Sequence, residues 1–279
     1  MKIMQVALLC VGAIAGQAWA APVFQLGVDN NMGFQSVANN TSGPNTINVG
    51  DLYYGVINAQ DISNTSTGTT WNANNVSAHP PIDSFTGYFL TRVTSVMAVP
   101  FGSGTSYFAE LGVAKSDPNG VFSTADLNAG TMMKLFTDTG TAYTTGGPVA
   151  TDIAHATDGT FWGSLGFNQS GDHWGVVIMP SGSSASGYTS GGLDFINNNS
   201  GLAWNKVLDK TCAVSGGCLV DMKFGSTFSQ NSGSAWQTSI NDPATLHPVP
   251  LPAAGWLMGS GLLALVRLSR RRKNRLVVA

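Results

Sequence analysis

Trp162, Asn168, Asp172 and Trp174 fall within one short window of the chain and offer the side chains that a sugar needs. An indole face can stack on the apolar face of a pyranose, while amide and carboxylate groups take its hydroxyl hydrogens. Gln169 and His173 lie in the same window, and Trp71, Trp204 and Trp236 supply further indoles. The competing use of a tryptophan on a strand is as core, because burying the ring removes a large apolar area from water. Which side of its strand each ring takes decides between the two uses.

Catalytic arrangements are harder to assemble. A nucleophile elbow needs Gly-x-Ser-x-Gly on a sharp strand-to-helix turn, and Gly163-Ser164-Leu165-Gly166 has the wrong spacing. Asp152, His155 and the pair Asp172-His173 are near Ser164 in sequence, a weak signal. His79, His155, His173 and His247 show neither a His-x-x-x-His nor a His-Glu pairing, which argues against a zinc enzyme. Calcium suits carboxylate and carbonyl oxygens better. Asp117-Pro118-Asn119-Gly120 and Asp158-Gly159 are the places for a structural calcium ion. The first lacks an oxygen ligand at the fifth loop position and a Glu at the twelfth, and turn chemistry alone accounts for both. With fourteen Asp beside one Glu, some pair of carboxylates is always available, so a glycosidase pair carries no information. The expectation is a protein that is not an enzyme, with no cofactor and no metal beyond structural calcium.

The elements that must carry these residues are strands. Between the chain ends there is a single Glu, Glu110, and an abundance of Gly, Ser, Thr and Asn, a mixture that disfavours helices and suits strands and turns. β-Branched and aromatic runs recur at 23–28, 52–58, 88–99, 107–113, 132–137, 153–155, 161–167, 174–179, 202–208, 219–224 and 235–240. Asp158-Gly159 stands between two of these runs as a hairpin signal. Residues 123–129 suit one helical turn, ended by Gly130. Residues 39–48, 63–78 and 181–192 read as long polar loops, the last being the most mobile. Residues 153–163 resemble one β-propeller blade, but a propeller needs several copies and no fixed-period repeat is visible. Many short strands without a βαβ rhythm predict an all-β, jelly-roll-like β-sandwich over residues 21–228.

The chain ends govern handling. Met1–Ala20 has Lys2, an apolar stretch over 6–15 and Ala18-Trp19-Ala20, the form of a secretory signal peptide. The Sec translocon and signal peptidase are therefore expected partners. Between the ends, six basic residues face all fifteen acidic ones, a local balance of minus nine, which argues against nucleic acid or an anionic membrane surface as partners. Cys10 leaves with the signal peptide, and the remaining pair, Cys212 and Cys218, reads as a disulfide. Residues 229–248 read as a spacer.

From Val249 to Val266 no side chain is charged, and Arg267, Arg270, Arg271, Arg272, Lys273 and Arg275 follow directly. Eighteen helical residues rise about 27 Å, close to the hydrocarbon thickness of a bilayer. The basic cluster places the C-terminus in the cytoplasm and the preceding domain outside. Val249-Pro250-Leu251-Pro252-Ala253, the Gly-rich span and the Arg cluster together resemble the PEP-CTERM family of sorting signals, in its VPLPA variant. The resemblance covers residues 249–275 alone. It implies an exosortase as partner, in a Gram-negative bacterium that makes exopolysaccharide. It also implies a stay in the inner membrane before processing, and then the cell surface or medium. The function expected on this basis is a non-enzymatic surface or matrix protein of the biofilm. A lectin-like module is the alternative, and a polysaccharide hydrolase is the more remote one.

Overall fold

The computed structural model describes residues 24–249 apart from 44–45, 65, 74–83, 102–103, 139–142, 144–145, 182–183, 213–214 and 232–233. The signal peptide, the basic cluster and all of the sorting signal except Val249 lie outside the described residues, as does His79. Among the described residues no helix is long and apolar enough to cross a membrane.

The first half of the chain forms β1 (Asn30–Asn40), β2 (Leu52–Asn64), β3 (Gly68–Asn72), β4 (Ser84–Phe101), β5 (Gly104–Gly112), α1 (Thr124–Asn128) and β6 (Thr131–Asp138). Then come α2 (Val149–Ala156), β7 (Thr160–Gly166), β8 (His173–Ser181), β9 (Ser184–Asn198) and β10 (Ala203–Asn205). The last are β11 (Val207–Asp209), β12 (Cys218–Val220), β13 (Met222–Gln230) and β14 (Thr238–Val249). The protein is thus all-β, as its composition predicts. The two layers expected of a sandwich are joined by one continuous hydrogen-bonded sheet of 12 strands.

That sheet closes on itself. Antiparallel ladders run β1–β2, β2–β4, β4–β5, β5–β8, β8–β9, β9–β13, β13–β14 and β14–β1, a complete circuit of eight strands. β4 and β9 are long enough to fork the wall. The first part of β4 pairs with β6 and its later part with β5, while the last part of β9 pairs with β7 and its earlier part with β8. A second circuit therefore runs through β6 and β7 at the other end of the barrel.

The two ends are filled differently. At the β6–β7 end an aromatic plug of Phe24, Phe85, Trp162, Phe195 and Trp204 closes the interior, with Phe85 and Trp162 edge to face at 4.9 Å and Phe195 stacked on Trp204 at 5.4 Å. Met32, Ile62, Leu135, Leu165, Leu193 and Leu246 pack around it without exposure. A second apolar layer lies outside the wall, where α1 and α2 bring Leu127, Ile153 and Ala156 onto Val56, Tyr88 and Leu90. α1 begins at the expected turn, with a reciprocal cap between Ser123 and Asp126, and ends before Gly130 at φ 91°.

Several sequence expectations need correction. Residues 24–28 form no strand. Residues 153–155 belong to α2, whose Val149, Ile153 and Ala156 recur at helical spacing and pack on the outer layer. Asp158-Gly159 therefore joins a helix to β7 and makes no hairpin. Residues 184–192, expected as a mobile loop, are half of β9. The supposed spacer holds β14, a central strand between β1 and β13.

Candidate functional site

Toward the other end the barrel is hollow. A cavity with room for water centres over about 80 Å³ is lined mainly by apolar side chains, among them Phe34, Phe89, Trp174 and Phe224. Inward side chains lose burial in this direction. Leu246 and Ala244 are buried, but Asp242, Ile240 and Thr238 beyond them are half-buried, as are Phe228 and Tyr53 on the facing strands. The cavity opens at that end.

Period two along β14 puts Thr238, Ile240, Asp242, Ala244 and Leu246 on the inner face. Asp242 is the only charged side chain among the described residues that line the cavity. Its neighbours follow from register. Phe34 is its partner on β1, with Ser36 one inward position further along. On β13 the pairs Phe224–Ala244 and Thr227–Asn241 put Ser226 opposite Asp242, in a gap where Pro243 has no N–H to donate. Ser36 and Ser226 are buried, and neither hydroxyl meets a partner at hydrogen-bonding geometry.

Asp242 is half-buried, with the cavity beside it. Protein encloses the carboxylate, and burial pushes its pKa above the ordinary carboxylate range, against the smaller pull of the Ser226 and Ser36 hydroxyls. Thr189 is a further inward hydroxyl, but it is committed. It accepts from Trp174 Nε1 at 2.8 Å and donates to the carbonyl of Gly175 at 2.7 Å. At the opening, Asn40 Nδ2 donates to the Tyr53 hydroxyl at 3.2 Å.

The sugar constellation does not assemble. Trp162 is 5% exposed within the aromatic plug, and Trp174 is 8% exposed with its ring against Phe89 and Phe224 inside the barrel. Neither offers a face to a glycan in solution. Asp172 instead closes its own loop, accepting from the backbone N–H of Asn168 at 2.6 Å and of Gln169 at 2.7 Å. Asn168 Nδ2 donates to the carbonyl of Phe195. Trp71 and Trp236 are also buried.

The other candidates have structural duties. Asp117 accepts from the Tyr88 hydroxyl and from the backbone N–H groups of Asn119 and Phe122, so its carboxylate is committed to the turn rather than held out for calcium. Asp158 is exposed beyond α2. Ser164 is buried in the wall beside Asn197, and Asp152 turns inward to Trp236, away from exposed His155. Cys212 and Cys218 are bridged with Cα atoms 5.8 Å apart, next to the β11–β12 hairpin. The structure also brings His173 to this pair, within 4.8 Å of both sulfurs. A disulfide has no thiolate to offer a metal, and His173 Nε2 faces Asp209 at 3.3 Å.

No family model, curated protein or solved structure matches this chain. Function must be argued from the residues themselves. Asp242 escaped sequence reasoning because one Asp among fourteen carries no signal. Ile240, Ala244 and Leu246 at alternate positions would have placed it inside, had the segment been read as a strand.

Proposed function

We propose that this is an exported, non-enzymatic surface or matrix protein, processed by an exosortase and associated with exopolysaccharide. The observation that carries the reading is the junction at Val249. This residue ends β14 and also begins the Val249-Pro250-Leu251-Pro252-Ala253 motif. The last described strand thus runs up to the first residue of the sorting motif, and an apolar span and basic cluster follow in sequence. The disulfide agrees with folding in an oxidising compartment. In this reading Sec and signal peptidase deliver the chain to the inner membrane. The exosortase then moves it to the surface or medium. Val249 is paired with Ala203 of β10, so in this reading a membrane-spanning helix would start beyond it.

Recognition of a glycan by Trp162 and Trp174 is not part of this proposal, since both rings are buried. The test compares wild-type protein with a P250A/P252A variant in a strain with an active exosortase. Proline substitution lets a helix extend back over the motif while leaving hydrophobicity nearly intact. Wild-type protein is expected to lose residues beyond the motif and leave the membrane, while the variant accumulates at full length. Wild-type protein that stays full-length and membrane-bound would refute the proposal in favour of a plain anchor.

A further inference from the structure

A lone carboxylate in an apolar cavity is costly unless something pairs with it. Asp242 has no cationic partner among the residues described around the cavity, and only the Ser36 and Ser226 hydroxyls stand beside its carboxylate. Three polar side chains on the adjacent strands β1, β14 and β13 thus converge on one point of an otherwise apolar wall.

We propose that the barrel cavity binds a small organic ammonium ion, with its NH3+ group on the Asp242 carboxylate and its hydrocarbon part along the apolar wall. The match is one of charge and hydrogen-bonding sense. An ammonium group carries donors and no acceptor, and the one charged group among the described residues lining the cavity is an acceptor carboxylate, backed by the Ser36 and Ser226 hydroxyls. Phe34 and Phe224, the neighbours of Asp242 on β1 and β13, line the same cavity, and aromatic faces attract organic cations. The indole N–H of Trp174 is already taken by Thr189, so the ring is left to serve as wall. A hard metal ion fits poorly, since calcium takes six or more oxygens and the site has one carboxylate. Size narrows the class further. A cavity of about 80 Å³ suits a short alkyl or small aryl amine. The site does not depend on how the chain is processed.

The test uses the full chain in lipid nanodiscs, because a detergent tail could itself fill the cavity. Calorimetric titration with n-butylammonium is expected to show saturable one-to-one binding. The neutral isostere 1-butanol and the anion butyrate should bind at least about tenfold more weakly, as loss of a charge-assisted contact requires. D242N should lose about tenfold or more while keeping the wild-type near-UV circular dichroism. S36A/S226A should lose a smaller factor, and D158N, at an exposed position outside the cavity, should bind as wild type. Equal affinity for butylammonium and butanol would overturn the proposal. So would wild-type affinity in D242N, preferential binding of calcium, or no saturable binding at all.

Discussion

Asp152 offers the sharpest test of how the outer layer is held to the barrel. Its buried carboxylate accepts from Trp236 Nε1 at 2.7 Å, from Gly146 N at 3.0 Å and from Gly147 N at 3.2 Å. One side chain thus ties the start of α2 to the segment entering β14. D152A strands all three donors. Each buried donor left without a partner costs roughly 1–3 kcal/mol, but water reaches Gly146 at the surface, so the fully buried indole N–H carries most of the loss. A total of about 3 kcal/mol follows. D152N should recover little of it, because every partner is a donor and an amide turns its own NH2 toward at least one of them. W236F keeps most of the ring volume and leaves Asp152 two backbone donors, so its cost should be only about 1–2 kcal/mol. Urea unfolding of residues 21–249 with the disulfide intact measures these differences, and D152A should lower the midpoint by about 1 M. A D152A midpoint within about 0.3 M of wild type, or a D152N variant restored to wild type, would refute the reasoning.

Further outcomes follow from other parts of the structure. Burial raises the Asp242 pKa, so the folded state holds that proton more tightly than the unfolded chain does. Its stabilising effect is complete below the unfolded value near 3.8 and is lost as pH rises through the folded pKa. Without ligand, D242N should therefore be more stable than wild type at neutral pH and flatter in stability against pH, as read by thermal melts across pH 4–8. A Cβ at Gly55 would lie 2.0 Å from the Val37 carbonyl oxygen and 2.7 Å from the Phe89 ring. G55A should destabilise by about 3 kcal/mol or more in urea unfolding, or fail to fold. Opening the small loop between Cys212 and Cys218 by a double Ser substitution should cost about 2 kcal/mol without changing the far-UV spectrum, and peptide mass spectrometry should find the native pair bridged.

The strand-rich class, the disulfide and the α1 turn were legible because each rests on local chemistry: propensity, an even cysteine pair, and a capping residue before a Gly stop. β9 was hidden by its Ser and Gly content, which reads as a linker. Its glycines are small because neighbours are large, since a Cβ at Gly187 would meet the Phe228 ring at 2.5 Å and one at Gly191 would meet Phe224 at 2.4 Å. β14 was hidden by Pro243 and Pro248, which locally oppose a central strand. Pro243 is tolerated because the β13 ladder skips that position. The side to which Trp162, Trp174 and Asp242 point depends on register and closure, which pair residues far apart in sequence.

The strand that carries the Val249 junction also sets how the protein answers a pull. β14 lies lengthwise between β1 and β13, pairing along most of its length with the first strand and the one before it. The chain leaves this strand at the plugged end of the barrel, opposite the open mouth. Suppose a pull were applied at Val249 along the strand axis, as the proposed attachment of the C-terminus would allow. Ladder bonds perpendicular to the strands are then loaded in shear, so two rows must fail nearly together instead of unzipping one bond at a time. Such a domain bears load as a lap joint does, with its cavity facing away from the point of attachment.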